Sequence, residues 1–207
     1  MNKQTKIAKK TGYHHGDLRA QLVEATRRLV EEKGPDHFSV AEACREAGVS
    51  TAAPYKHFKD KDEMLRAVIW EGMLRHRDQM LEAIAPLPEG SPDRVIALGK
   101  VYVNYASREP GVFRLSFALS ERHDDDVELI ECGHSLFSIV IQAVAHCLGR
   151  KEPIEDDLHR AFMLWSFVHG LSFLTIDGKV NKVDVDVDHD RMIADITRRV
   201  LPECFST

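Results

Sequence analysis

None of the four cysteines, Cys44, Cys132, Cys147 and Cys204, stands in a CxxC pair. The sequence therefore suggests neither a zinc ribbon nor a disulfide scaffold, and the thiols are expected to be reduced in a cytoplasm. No apolar run approaches the roughly 18 residues that a membrane span needs, so no membrane association is expected. The four lysines within Met1 to Lys10 are not followed by the apolar stretch of a secretory signal. Catalytic signatures are missing too. There is no GxSxG elbow, no P-loop and no GxGxxG, and the Ser, His and Asp residues lack a local context that would activate a nucleophile. An enzyme is not expected, and nothing calls for a cofactor. Internal repeats and low-complexity tracts are also absent.

The composition that remains is ordinary for a globular chain, with 43% hydrophobic and 29% charged residues. A length of 207 residues allows one large domain or two small ones, each with a core. The net charge of -5 hides an asymmetry: residues 1–60 carry a net of about +3 and the rest about -8. A basic end on an acidic body suits a protein with one DNA-facing surface; a solvated basic tail gives the same numbers.

Apolar spacing predicts helices almost throughout. Leu18, Leu22, Ala25, Leu29 and Val30 form one face of a helix from Asp17 to Lys33, stopped by Gly34-Pro35. Ser39 and Glu42 form a capping box for a short helix with Val40, Ala43, Cys44 and Ala47 inward, ending at Gly48. Ser50 can cap a second short helix, Thr51 to Phe58, with Pro54 in its first turn. Asp60 to Glu63 caps a longer helix running to about Ala85. Pro86, Pro88, Gly90 and Pro92 mark a connection, and further helices are expected at about 93–107, 110–120, 126–148, 155–176 and 189–202. The segments 127–148 and 158–176 are apolar on more than half of their circumference, so each must be covered on more than one side, which points to a subunit interface. Val183 to Asp190 alternates like a strand but is short, acidic and partnerless, and reads as a loop. The fold class expected is all-α: an N-terminal three-helix helix-turn-helix domain (1–60) joined by a long helix to a C-terminal helical domain (61–207).

The pair of short helices around Ala47-Gly48-Val49-Ser50 is a helix-turn-helix pattern. Gly48 suits a tight turn with positive φ, Ala43 lets the helices approach, Val49 and Phe58 fill the space beneath them, and the helix starting at Ser50 can aim amides at a phosphate.

The run Gly48 to Lys61 (GVSTAAPYKHFKDK) resembles the DNA-binding signature of the tetracycline-repressor (TetR/AcrR) family. Gly12 to Arg19, the Ala-Ala-Pro-Tyr run, Arg108 to Leu115, and Trp165 with His169-Gly170 resemble the branch named for a C-terminal Trp-His-Gly signature. Together these span residues 12 to about 178. The resemblance implies a homodimeric, mostly repressing regulator that binds a palindromic double-stranded operator and is released by a small-molecule effector, here of unknown identity. Dimerisation is expected through helices at about 127–148 and 155–176. Matched to the family pattern, Thr51, Ala52 and Tyr55 reach the major groove or its edge, while Ser50, Tyr55, Lys56, His57 and Lys59 meet phosphates. Phosphate contacts hold register and base contacts choose sequence; the Thr51 and Ala52 methyls suit a thymine methyl. Lys3, Lys6, Lys9 and Lys10 either follow the backbone or minor groove or form a free tail.

Trp165 and His169, at i and i+4, share a helix face. They are either walls of an effector pocket or a buried Trp and a core His bonded to a neighbouring helix, with Gly170 allowing close approach. Tyr102, Tyr105 and Phe113 are further pocket candidates. No metal spacing is matched by His123 with Asp124 to Asp126, by Asp184 to Asp190, or by the adjacent His14 and His15. Cys132 and Cys147 lie on an apolar helix, where thiols are usually inert. The rival reading is a DNA-binding regulator without an effector, or one gated by redox state.

Overall fold

The computed structural model describes residues 17–118, 126–182 and 187–205. The lysine arm, the leader from Gly12 to Gly16, His123 to Asp125 and the first half of the Val-Asp run lie outside the described residues. Within them the chain forms eight α-helices and no strand: α1 (Asp17–Lys33), α2 (Val40–Glu46), α3 (Lys61–Ile84), α4 (Pro92–Arg108), α5 (Pro110–Ala118), α6 (Val127–Cys147), α7 (Glu155–Ile176) and α8 (His189–Val200).

Short-range chemistry sets most of the boundaries. Gly34, at φ +82°, ends α1, and Gly48, at φ +69°, ends the turn after α2; both need the left-handed region that glycine enters without a Cβ clash. The Ser39 hydroxyl accepts the Glu42 N–H at 3.2 Å and the Glu42 carboxylate accepts the Ser39 N–H at 2.9 Å, the reciprocal cap expected. Lys33 bonds the same carboxylate at 3.0 Å and, as its largest influence, holds that group down at about 2. Asp60, Ser91, Asp126 and Asp188 cap α3, α4, α6 and α8, so two acidic residues considered above for metal are helix caps.

One expected helix is not an α-helix. Between Thr51 and Phe58 only Pro54–Lys56 is helical, as a single 3-10 turn. Pro54 has no N–H to return to the Ser50 carbonyl; that oxygen accepts from Ala53 instead, and the N–H groups of His57 and Phe58 both converge on the Pro54 carbonyl at 2.8 Å.

Three apolar clusters hold the helices together. The first joins Leu22, Val30, Phe38, Cys44, Phe58, Met64 and Val68 to Tyr105, Val112 and Phe113. It thus runs from the helix-turn-helix into the end of α4 and into α5. The second gathers Met80, Ile84, Leu98, Val144 and Leu164 from α3, α4, α6 and α7, with Leu201; the third gathers Val103, Val168, Leu171 and Ile193.

Val127–Cys147 is, among the described residues, the one helix long and apolar enough by length and composition to cross a bilayer, with mean hydropathy 1.4, although Glu128, Glu131 and His134 keep its uninterrupted apolar runs short. One sequence expectation needs correction. Cys147 and Cys204, expected as separate thiols, are bonded as a disulfide with Cα atoms 5.9 Å apart, inside the range such a bridge requires. Their separation of 57 residues hides the pairing from any local motif: the 3-10 turn Pro202–Phe205 folds back onto the end of α6.

Candidate nucleic-acid interface and ligand cavity

Phe58 and Val49 turn inward and anchor the turn between α2 and α3. Ser50, Thr51, Ala52, Tyr55, Lys56 and Lys59 are exposed and His57 is half-buried. Tyr55 stands 66% exposed although its neighbour Phe58 is 3% exposed. Lys61 is occupied differently: its ammonium bonds the Phe38 carbonyl at 2.8 Å and lies 4.2 Å from the Phe38 ring centroid, so it fastens α3 to the turn before α2. The seven residues matched to DNA-contacting positions therefore form one continuous surface segment, and the positions between them are structural.

This segment is tied to the rest of the chain at a joint that sequence reading missed. The Glu31 carboxylate, on α1, accepts the Gly111 and Val112 N–H groups at 2.8 and 2.9 Å, capping the start of α5 where the helix dipole favours an anion. A Cβ on Gly111 would lie 2.7 Å from the Val30 carbonyl oxygen and 2.9 Å from the Glu31 Cα. Arg75 of α3 completes the joint by bonding Glu109 at 2.6 Å.

A cavity of about 40 Å³ lies among α3, α4, α6, α7 and α8. Of the five predicted pocket residues, Tyr102 and Trp165 line it; Tyr105, Phe113 and His169 are not among its lining residues. His169 sits behind the wall. Its Nδ1 is 2.8 Å from the Tyr102 hydroxyl, which also accepts from the Trp165 Nε1–H at 3.2 Å, and burial lowers its pKa. Phe113 packs edge-on against Tyr102 and Tyr105 at 5.6 and 6.1 Å. Because α5 carries Phe113, the helix that packs behind the lining residue Tyr102 is also the one that Glu31 caps.

The missed lining residue is His76. It is 6% exposed, stacks on Tyr105 at 4.7 Å, and its Nδ1 has no hydrogen-bond partner among the described residues. Desolvation pushes its imidazole down to about 4. Gly72, His76, Met80 and Ile84 recur every four residues on α3 and all are buried; a histidine in such an apolar stripe was the available signal.

A band of large side chains on α7 remains uncovered: Leu158, Phe162, Met163 and Leu174 are each about half exposed, and Val127 and Ile130 at the start of α6 are exposed as well. Ser166 and Gly170 lie between them, and a Cβ on Gly170 would meet nothing within 4 Å among the described residues. Among these residues Gly170 therefore serves no close helix approach. Among the described residues no group of three or more His, Cys, Asp or Glu gathers in a way that could hold a metal ion.

Comparison with known proteins agrees with this architecture. Residues 22–68 match the family described as bacterial regulatory proteins, tetR family, and residues 95–199 match the tetracyclin repressor-like C-terminal domain. The HTH-type transcriptional regulator BetI of Escherichia coli O127:H6 is 36% identical over 76 residues, which is 37% of this chain and 39% of that protein. The chain therefore matches about two fifths of the length of its curated relatives. Among solved structures, a protein of unknown function from Rhodococcus sp. RHA1 superposes with a TM-score of 0.79 at 26% identity, covering 94% of this chain and 98% of its own. A TetR/AcrR-family regulator from Thermobifida fusca shares the fold, with a TM-score of 0.62 at 22% identity, covering 89% and 97%. With both of its halves matched and the C-terminal match alone spanning half its length, the chain belongs to the TetR family of bacterial transcriptional regulators.

Proposed function

We propose that the chain is a ligand-responsive repressor that binds a palindromic operator as a homodimer and lets go when a small molecule enters its C-terminal half. The observation that carries this is the outward Tyr55, with Ser50, Thr51, Ala52, Lys56, His57 and Lys59 beside it, on a turn that Val49 and Phe58 anchor inside. A large aromatic held out in water on an anchored turn is poised for a partner. Thr51, Ala52 and Tyr55 would read bases, and the remaining four, with the Tyr55 hydroxyl, would hold phosphates.

Dimerisation through α6 and α7 would cover the Leu158–Phe162–Leu174 band, with Ser166 and Gly170 letting two α7 helices approach closely. Each half-site needs its reader about 34–36 Å from the other. A ligand that moves α4 or α5 pulls on Glu31 and changes that spacing, and it must prefer the released shape to act at all. The division of labour we assign is reading by residues 1–60 and sensing plus dimerisation by 61–207, in the branch with the Trp-His-Gly signature.

The test is retardation of DNA adjoining the protein's own gene. Tyr55→Ala is expected to abolish it while the dimer survives in sedimentation; unchanged retardation in both Tyr55→Ala and Lys59→Ala would defeat the assignment. A second reading, redox gating, is favoured by Cys147–Cys204. It predicts that a thiol reductant alters operator affinity with no small molecule present, and that Cys204→Ser removes the response.

A further inference from the structure

Ligand release says nothing about what the ligand is, but the walls of the cavity do. The residues that line it come from five helices, and no Asp, Glu, Lys or Arg is among them. Four of them carry a polar side-chain group, and three of those groups are already engaged: the Trp165 N–H by Tyr102, the Tyr102 hydroxyl by Trp165 and His169 Nδ1, and the Thr197 hydroxyl by the Ile193 carbonyl at 2.8 Å. The fourth is His76, whose Nδ1 is buried and unpartnered.

We propose that this cavity binds an uncharged, mostly apolar small molecule carrying a single hydrogen-bonding group, of the alcohol or amide class, which bonds the His76 imidazole while its carbon body lies against Leu98, Val140, Leu164 and Val168. The proposal rests on the ligand-responsive reading above and names the ligand class for it. A carboxylate or ammonium would enter a low-dielectric pocket that offers it no counter-charge and a single spare imidazole, which is too little to replace its hydration. The imidazole is no cation in waiting, because burial keeps it neutral at ordinary pH. Size narrows the class further. Cavities that hold benzene run to about 150 Å³; at about 40 Å³ this one takes a few carbons as it stands. The flexible Met80 side chain is the wall that can yield to something longer.

The experiment uses the full-length protein without DNA, labelled with ¹⁵N-histidine, and three probes of equal carbon number: 1-butanol, butylammonium and butyrate. The expected result is a saturable shift of the His76 Nδ1 resonance with 1-butanol and none with the two ions at the same concentration. His76→Phe is expected to weaken 1-butanol about tenfold, the value of one buried hydrogen bond. A His76 shift with either ion matching that of the alcohol, or no saturable His76 shift with 1-butanol, overturns the ligand class; the wild-type resonance decides this even if the variant folds poorly. Operator affinity is then measured by fluorescence anisotropy with and without 1-butanol. Saturable binding that leaves operator affinity unchanged keeps the ligand class and counts against the release mechanism. Operator release by an ionic probe with no His76 shift keeps release and sinks the class.

Discussion

The two ends of the molecule treat apolar surface in opposite ways. Around the helix-turn-helix, Leu22, Val30, Cys44, Phe58 and Met64 are sealed inside, and what faces outward is short, polar or charged, with Tyr55 the one large exception among the described residues. Along α6 and α7 the chain buries Val144 and Leu164 but leaves Leu158, Phe162, Met163 and Leu174 outside. The first surface suits a hydrated, charged partner that must be released; the second suits a permanent partner of the same kind, because exposed apolar bands of this size are costly in a monomer. The proposed reader and the proposed dimer seam thus differ in what each keeps from water.

The contrast breaks hardest at the seam. A Phe162→Asp, Leu174→Asp double variant is expected to weaken self-association by at least about a hundredfold, seen as monomer in sedimentation at micromolar concentration. A dimer that survives would move the interface elsewhere.

Next in size is the acid response of the cavity. The unfolded His76 takes a proton near 6.5 and the folded one not until about 4. Between these values the unfolded chain binds the extra proton, so this contribution to stability is intact above 6.5 and is lost as pH falls toward 4. The loss amounts to about 3 kcal/mol, and His76→Phe should flatten it, measured as urea midpoints from pH 7 to 4. Equal slopes in both proteins would put the acid response elsewhere.

Smaller again is the joint. Glu31→Ala leaves two α5 amides uncapped and should cost about 2 kcal/mol, or roughly 5 °C in melting temperature; Glu31→Gln, which keeps an acceptor oxygen, should lose less. The smallest effect sharpens the reader: Lys59→Ala should reduce the log-log salt slope of operator binding by about one per half-site.

Much of the fold was legible because its signals are local. The Ser39–Glu42 cap, Gly34, Gly48 and the Asp60 cap act over three or four residues, and their helices begin and end where the sequence places them. The seven proposed reader positions share one surface segment for the same reason, since they lie in one ten-residue run. The helix expected from Thr51 to Phe58 behind a Ser50 cap does not form as an α-helix, because Pro54 has no N–H for the Ser50 carbonyl, which finds its donor three residues on, at Ala53. Glu31 meeting Gly111, His76 facing Tyr102 and Cys147 bonding Cys204 were invisible for a different reason. Each joins residues tens of positions apart through packing that no spacing rule encodes.

The contact at Gly111 sets where the molecule can bend. Main chain lies against main chain there, so the first helix and the fifth move as one piece, and the mechanical border of the reading head runs past residue 60 to take in a segment from beyond the hundredth residue. A fragment cut after the turn would lose a wall of its own core. Any force that the proposed ligand puts on α5 is therefore delivered to α1 with no hinge between them.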